Sequence, residues 1–278
     1  MEVGRVVVVA DSHLSSHAPE ALANWDAVVG YVDDVEPDLV VHLGDLTLDG
    51  CNDSADLVTA RDRLDRLAAP WRVIPGNHDI GDNPNRGIGH EPTIDVDRLA
   101  RWRQTIGHDW WTLDVGGWTL VAANAQLFGS GLDAEHDQWA WLAQELAGRG
   151  PQRPIGLLTH KPLSAPDEEL AAAPSHRFVP PAARARIEAL SPDSTVPLVM
   201  SGHVHQFRIL DVGERRHVWA PTTWAVLPEE IQPTFGVKRC GVVSLTLSSG
   251  RRVGVALVEP RGMTQLTVTR DVPNPYHH

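Results

Sequence analysis

Val6-Val7-Val8-Val9-Ala10-Asp11-Ser12-His13 is the stretch on which the fold turns. Val6 to Ala10 is a continuous, largely β-branched run, which suits a strand buried on both faces of a parallel or mixed sheet. It stops at an aspartate and a histidine, side chains that bind divalent metals through oxygen and imidazole nitrogen. The same ending recurs downstream. Asp38 to Leu43 runs into Gly44-Asp45, and Trp71 to Ile74 into Pro75 and Gly76-Asn77-His78-Asp79. Ile155 to Leu158 delivers His160, and Val196 to Met200 delivers Gly202-His203-Val204-His205. Metal-binding residues at the ends of successive strands predict one sheet edge that holds a metal site.

The intervening segments read as helices. Pro19 opens a stretch with Leu22, Trp25, Val28, Val29 and Val32 at helical spacing, and Leu57, Ala60, Leu64 and Leu67 mark a second helix ending before Pro70. Alternating strands and helices predict an α/β sheet with right-handed crossovers. Gly81 to Pro92 is dense in Gly, Asn, Pro and Asp and reads as a long loop. Val96 to Ile106 reads as a short helix, and Trp110 to Val115 and Trp118 to Ala123 as strands joined by Gly116-Gly117. Further helices are expected from an Asp133 cap through Leu146 and from Pro180-Pro181 to about Leu190. From Phe207 the pattern is all-β: strands at Phe207 to Val212, His217 to Ala220, Val242 to Leu247, Val253 to Val258 and Leu266 to Thr269, with antiparallel hairpins favoured. No repeat or linker divides the chain, so residues 1–278 are expected to form a single two-sheet domain.

Composition narrows the partners. With 278 residues, 42% hydrophobic and 22% charged, the chain is long enough for a large α/β core. A formal net charge of -12 argues against gripping long nucleic acid or an anionic membrane. A small phosphate-bearing ligand stays compatible with it, because bound cations reverse the sign locally. Cys51 and Cys240 stand in no metal-type spacing and read as reduced thiols. No stretch reaches membrane-spanning length, and the first apolar run is too short for a signal-peptide core. A cytoplasmic location is the expectation.

Each cluster taken alone is a weak signal. Asp11 and His13 are two apart, so on an extended strand end both would face one way, yet an Asp after a strand is more often a turn residue. Gly44-Asp45 is weaker still. Gly76 before three polar residues permits a tight turn that presents them together. His203 and His205 again share a side, and their plain alternative is a surface turn with incidental histidines. Taken together they supply what a two-metal centre needs: several imidazoles, a neutral amide oxygen and a carboxylate able to bridge.

In order and spacing, these clusters resemble the calcineurin-like metallophosphoesterases, from Asp11 to about Thr223. The resemblance implies an α/β fold of two facing mixed β-sheets flanked by helices, and a pair of divalent or trivalent metal ions. It implies that Asp11, His13 and His205 hold one ion, that Asn77, His160 and His203 hold the other, and that Asp45 bridges them. His78, oriented by Asp79, would contact the phosphate and assist the leaving group. Two cations about 3.5–4 Å apart would activate a shared water for in-line attack on phosphorus.

Within the family, Leu48 stands where purple acid phosphatases have a tyrosine ligand, and Asp79 where protein Ser/Thr phosphatases usually have Glu. His78 stands where lipid A pathway pyrophosphatases tend to have Arg. The Gly44 to Thr47 segment is most similar to bacterial cyclic-nucleotide and glycerophosphodiester phosphodiesterases. The expected activity is hydrolysis of small phosphodiesters, 3′,5′-cyclic nucleotides among them. A phosphomonoesterase or nucleotide pyrophosphatase is the nearest alternative, and a scaffold that has lost its chemistry is a third, disfavoured by the complete donor set. No basic stripe interleaved with aromatics favours a nuclease. Mixed imidazole and oxygen donors suit manganese, iron or zinc. Related phosphodiesterases often dimerise, which makes a homodimer a further expectation.

Other residues carry less. Asn83, Arg86 and His90 read as solvated loop residues before substrate contacts. Thr222, Thr223, His176 and Arg177 are candidates to line the pocket. Asn124 reads as a turn former and His42 as a core or supporting histidine; His17, His108, His136 and His217 get no function. The tryptophans should fill the core, but Trp139 and Trp141, two apart on a helix, cannot share a face. One of them is expected to be exposed, at a subunit contact.

Overall fold

A computed structural model describes residues 2–84, 91–147, 153–166 and 175–273. The Val6 to Ala10 run lies in β1 (Val3–Val9), and its neighbours follow from alternation. Val6, Val8 and Ala10 pack into a core between two sheets, while Val7 and Val9 pack on the opposite face against helices. A strand buried on both faces has no polar side to show, which is why the sequence reads as unbroken valine.

The first sheet has the order β11-β10-β1-β2-β3. It comprises β1, β2 (Leu39–His42), β3 (Trp71–Val73), β10 (Val242–Ser248) and β11 (Arg252–Val258). β1 to β3 are parallel, and β10 and β11 add antiparallel, with Val6 opposite both Leu39 and Leu245. The second sheet, β4-β5-β6-β7-β9-β8, holds β4 (Trp111–Val115), β5 (Trp118–Ala123), β6 (Ile155–Thr159), β7 (Leu198–Ser201), β8 (Arg208–Val212) and β9 (Arg215–Trp219). Its centre, β5 to β7 and β9, is parallel, and β4 and β8 close the edges antiparallel.

Helices cover the outer faces. α1 (Pro19–Val35), α2 (Ser54–Leu64) and α4 (Val96–Thr105) flank the first sheet, burying Trp25, Leu57 and Trp102 against Val7 and Val9. The one-turn α3 (Asn77–Ile80) belongs to the site. α5 (Asp133–Ala147) and α6 (Pro181–Leu190) cover the second sheet through Trp139, Leu142 and Ile187. This is the expected pair of facing mixed sheets flanked by helices. No described helix is long and apolar enough to cross a membrane.

Two expectations need correction. Leu266 to Thr269 is not a strand; Thr267 and Val268 make only isolated bridges, to Val226 and Val272. The antiparallel hairpins expected after Phe207 are present, β8 with β9 and β10 with β11, and β9 also joins β7 in parallel. Neither Trp139 nor Trp141 is exposed: Trp139 stacks on Phe128 with ring centroids 4.7 Å apart, and Trp141 is partly buried against Trp110 at 6.2 Å. An expected subunit contact through one of them therefore has no exposed indole to use.

Candidate metal centre

The strands that carry the clusters, β1, β2, β3, β6 and β7, are parallel within their sheets, so their C-terminal ends lie at one edge. Loops leaving such an edge are where open α/β sheets bind ligands. The backbone there departs from the extended form expected at Asp11 and His13. Asp11 (φ 52°), His13 (46°), Asp45 (51°), His203 (68°) and His205 (53°) all lie in the left-handed region. Asp and His tolerate it better than most residues, but such conformations persist only where the surroundings hold them. The hold is visible. Asp11 N–H donates to Gly44 O at 3.0 Å, His13 N–H to Asp45 O at 3.1 Å, and His203 N–H to both Asp11 carboxylate oxygens at 3.0 Å.

Glycine permits the close approach of these loops. A Cβ on Gly76 would stand 2.1 Å from Asp45 Oδ1, and one on Gly44 would stand 2.6 Å from His160 Nδ1. No side chain fits in either place.

The candidate ligands converge. Asp11, His13 and His205 form one compact set, Asp45, His160 and His203 a second, and His13, Asp45 and His78 a third that overlaps both. His13 Nε2 and His205 Nε2 are 3.2 Å apart, and His205 Nε2 is 3.7 Å from Asp11 Oδ1. His160 Nε2 is 3.1 Å from His203 Nδ1, 3.1 Å from Asn77 Oδ1 and 3.3 Å from Asp45 Oδ2. Ligands at about 2.0–2.1 Å from one tetrahedral ion would be about 3.3 Å apart, so these spacings match edges of a coordination shell.

Hydrogen-bond accounting points the same way. His160 Nδ1 faces Leu43 O at 2.8 Å, and His205 Nδ1 faces Ala225 O at 2.7 Å. A carbonyl only accepts, so each Nδ1 carries the proton and each neutral ring turns its Nε2 lone pair inward. Metal-binding histidines are commonly anchored in this way. Two of the neighbours of His160 Nε2, Asn77 Oδ1 and Asp45 Oδ2, are oxygen acceptors, an arrangement that favours a cation among them. Without a metal, a proton serves: burial alone would lower the His160 pKa, but the Asp45 and Asp11 carboxylates raise it to about 9. The donor set fits a metal centre. Asp45 is fully buried, which disfavours its charge, yet His160 and His78 hold its carboxyl well below the usual range. Burial, with Asp45's charge added, pushes Asp11 well above that range. Burial first, then its cationic neighbours, keep His13 and His203 neutral.

His78 and Asp79 lie beside the donors. His78 Nδ1 donates to Leu48 O at 2.8 Å, and its Nε2 is 3.2 Å from Glu91 Oε1. Burial lowers the His78 pKa, but Asp45, Glu91 and the Leu48 carbonyl outweigh that and raise it. Asp79 braces the loops that carry the donors. Its carboxylate accepts Leu46 N–H, Thr47 N–H and hydroxyl, and Gly76 N–H at 2.7–3.1 Å, tying the loop after β2 to the loop after β3. The Leu48 carbonyl orients the His78 ring.

The remaining candidates sort by burial. Asn83 is buried, not solvated: its Oδ1 accepts from Lys161 Nζ at 2.8 Å and its amide donates to Ala125 O and Phe128 O. Arg86 and His90 lie outside the described residues. Thr222 and Thr223 lie behind the site, with Thr222 Oγ1 on Asp11 O and Thr223 Oγ1 on Ser12 Oγ, both at 2.7 Å. His42 supports the same loops: its Nδ1 accepts Gly44 N–H, and its Nε2 is 2.8 Å from Ser12 Oγ. Its pKa is pushed down to about 3, chiefly by burial. Asn124 Oδ1 accepts Gln126 N–H in a turn. His176 lies on the short helical turn before α6, and Arg177 is buried over the Phe235 ring at 5.3 Å. His217 is buried, whereas His17, His108 and His136 are exposed.

Sequence reasoning missed Lys161 and Glu91. Lys161 is fully buried, its ammonium paired with Asp82. A lysine between a strand-end histidine and a proline was the available signal. For Glu91 there was none, since a carboxylate in a polar loop looks solvated.

A family model described as calcineurin-like phosphoesterase matches residues 4–207. The 3′,5′-cyclic adenosine monophosphate phosphodiesterase CpdA of Escherichia coli (strain K12) is 26% identical over 228 residues, which is 79% of this chain and 76% of that protein. Among solved structures, purple acid phosphatase PPD1 from yellow lupin superposes with a TM-score of 0.67 at 18% identity, covering 97% of this chain. This chain spans only 55% of that phosphatase. GAP50, the anchor in the inner membrane complex of Plasmodium, superposes at 0.62 with 12% identity, covering 98% of this chain and 92% of that one. At such identities the superpositions show a shared fold.

Proposed function

Since this chain belongs to the calcineurin-like phosphoesterase family, we propose that it hydrolyses small phosphodiesters, 3′,5′-cyclic nucleotides first among them, at a centre of two metal ions. It is a metal-dependent phosphoester hydrolase. The observation that carries the finer reading is Asp45, which belongs both to the set with His160 and His203 and to the set with His13 and His78. A carboxylate placed between two imidazole groups suits a bridge. Asp11, His13 and His205 would hold one ion, and Asn77, His160 and His203 the other. Their mixed nitrogen and oxygen donors suit manganese, iron or zinc. Bound there, such ions supply Lewis-acid polarisation of the phosphoryl oxygens and a water nucleophile at neutral pH.

The chain's own groups do the rest. Leu48 O fixes the proton on His78 Nδ1 and so directs Nε2 toward the donors. As the imidazolium that the Asp45 and Glu91 carboxylates favour, the ring also carries Nε2–H, which would donate to a phosphoryl oxygen and give its proton to the departing alkoxide. Asp79 holds the two loops that present Asp45 and His78, so that neither reorganises during reaction. Asn77 contributes an oxygen without further negative charge.

The preference for diesters draws on the similarity to a cyclic AMP phosphodiesterase. The rest of the reading is one catalytic domain over the whole chain and a cytoplasmic location. β10, which lies beyond the family match, pairs with β1, and both cysteines are buried and free. Protein loaded in turn with manganese, iron and zinc should be assayed side by side on bis(p-nitrophenyl) phosphate, p-nitrophenyl phosphate and cyclic AMP. Diester turnover should dominate. Monoester turnover far above diester turnover would overturn the assignment, and a metal-free, chelator-insensitive protein would favour a scaffold.

A further inference from the structure

The chain beyond Asp79 returns to the site. Gly81 takes φ 87°, and a Cβ there would stand 2.6 Å from Pro92 O. This contact lets the backbone clasp itself: Asp82 N–H donates to Pro92 O at 2.7 Å, and Ile94 N–H to Asp82 O at 2.8 Å. Glu91 immediately precedes the clasp, so backbone hydrogen bonds fix its place. Its Oε1 lies 3.2 Å from His78 Nε2, with the two side chains 11% and 7% exposed.

A carboxylate is costly here. It leaves water, and it adds negative charge to a pocket that already holds Asp11 and Asp45. It also sits on the nitrogen that His78 would offer to a phosphoryl oxygen, because Leu48 O occupies the other one.

We propose that Glu91 sets the charge of the ester this site accepts, admitting singly charged phosphodiesters and rejecting doubly charged monoesters. The inference rests on the phosphoesterase reading above. A diester carries one negative charge, whereas a monoester, with a second pKa near 6, carries close to two above neutral pH. The extra charge would fall beside the Glu91 carboxylate in a site poorly screened by water. A repulsive group built against the competitor is a common source of specificity.

Glu91→Gln keeps the size and the acceptor oxygen and removes the charge. In the full chain loaded with manganese, at pH 8, the kcat/KM ratio of p-nitrophenyl phosphate to bis(p-nitrophenyl) phosphate should rise about tenfold. Inorganic phosphate, titrated calorimetrically, should bind about tenfold more tightly. If Glu91 only orients His78, both esters lose rate equally and phosphate affinity stays the same or falls; that result overturns the proposal. Should the parent protein turn over neither ester, the phosphoesterase reading fails. The phosphate titration still decides Glu91: affinity unchanged between parent and variant overturns its role.

Discussion

The backbone N–H of His78 donates to Asp45 Oδ1 at 2.9 Å, so one hydrogen bond sets the imidazole against the carboxylate between the donor groups. Asp79 doubles the link by gathering Leu46, Thr47 and Gly76 onto its own carboxylate. The loops after β2 and β3 thus behave as one rigid piece, with no room between them.

Gly76→Ala tests that rigidity. Its methyl would stand 2.1 Å from Asp45 Oδ1, so Asp45 or the loop must move. We expect destabilisation of about 1–3 kcal/mol, read by urea unfolding, together with weakened metal binding. Gly30→Ala is the control: it lies exposed on α1 with nothing within 4 Å. It should stabilise by about 0.5–1 kcal/mol and leave activity unchanged. Undiminished metal content in Gly76→Ala would refute the tight packing.

His78→Gln keeps a polar side chain but cannot transfer a proton. Single-turnover assays should show a loss on the order of 10²–10⁴-fold in the chemical step, with metal content retained. Loss of metal in parallel would make His78 a ligand and not an acid.

Lys161 is fully buried against Asp82 and Asn83, one position after His160. Lys161→Met leaves Asp82 without its cation and should cost about 3–5 kcal/mol. Adding Asp82→Asn should recover part of that loss. A single variant as stable as the parent would show that the pair is dispensable.

Metal binding should depend on pH in a definite direction. Without metal, the His160 pKa is raised to about 9 from the usual 6.5. Its proton therefore stabilises the metal-free fold below pH 6.5, and that contribution fades as pH rises through 9. An ion must displace the proton, so affinity should increase from pH 6.5 toward 9 with proton release. Calorimetry in buffers of different ionisation enthalpy reads the released proton. Affinity independent of pH would contradict it.

Much of this was legible in the residues. Apolar runs ending in Asp, Gly-Asp or His marked both the strands and the edge that carries the candidate ligands, because buried strands lack a polar face and ligands need loops. The left-handed backbone at Asp11, Asp45 and His205 was not, since a strand pattern carries no information beyond its last hydrogen bond. Leu48 escaped because it acts through its carbonyl, which every residue possesses. Leu266 to Thr269 has strand composition but finds only isolated bridges. Glu91 lies beside His78 next to the clasp between Asp82 and Thr93, a pairing across a loop that local pattern does not encode.

The most direct measurement is the metal stoichiometry of the parent protein and of Asp45→Asn, by elemental analysis after equilibration with manganese. A bridging carboxylate predicts two ions per chain in the parent, and one or none in the variant. Hydrolysis in the variant should fall on the order of 10³-fold or more. Two tightly held ions and normal turnover in Asp45→Asn would contradict it.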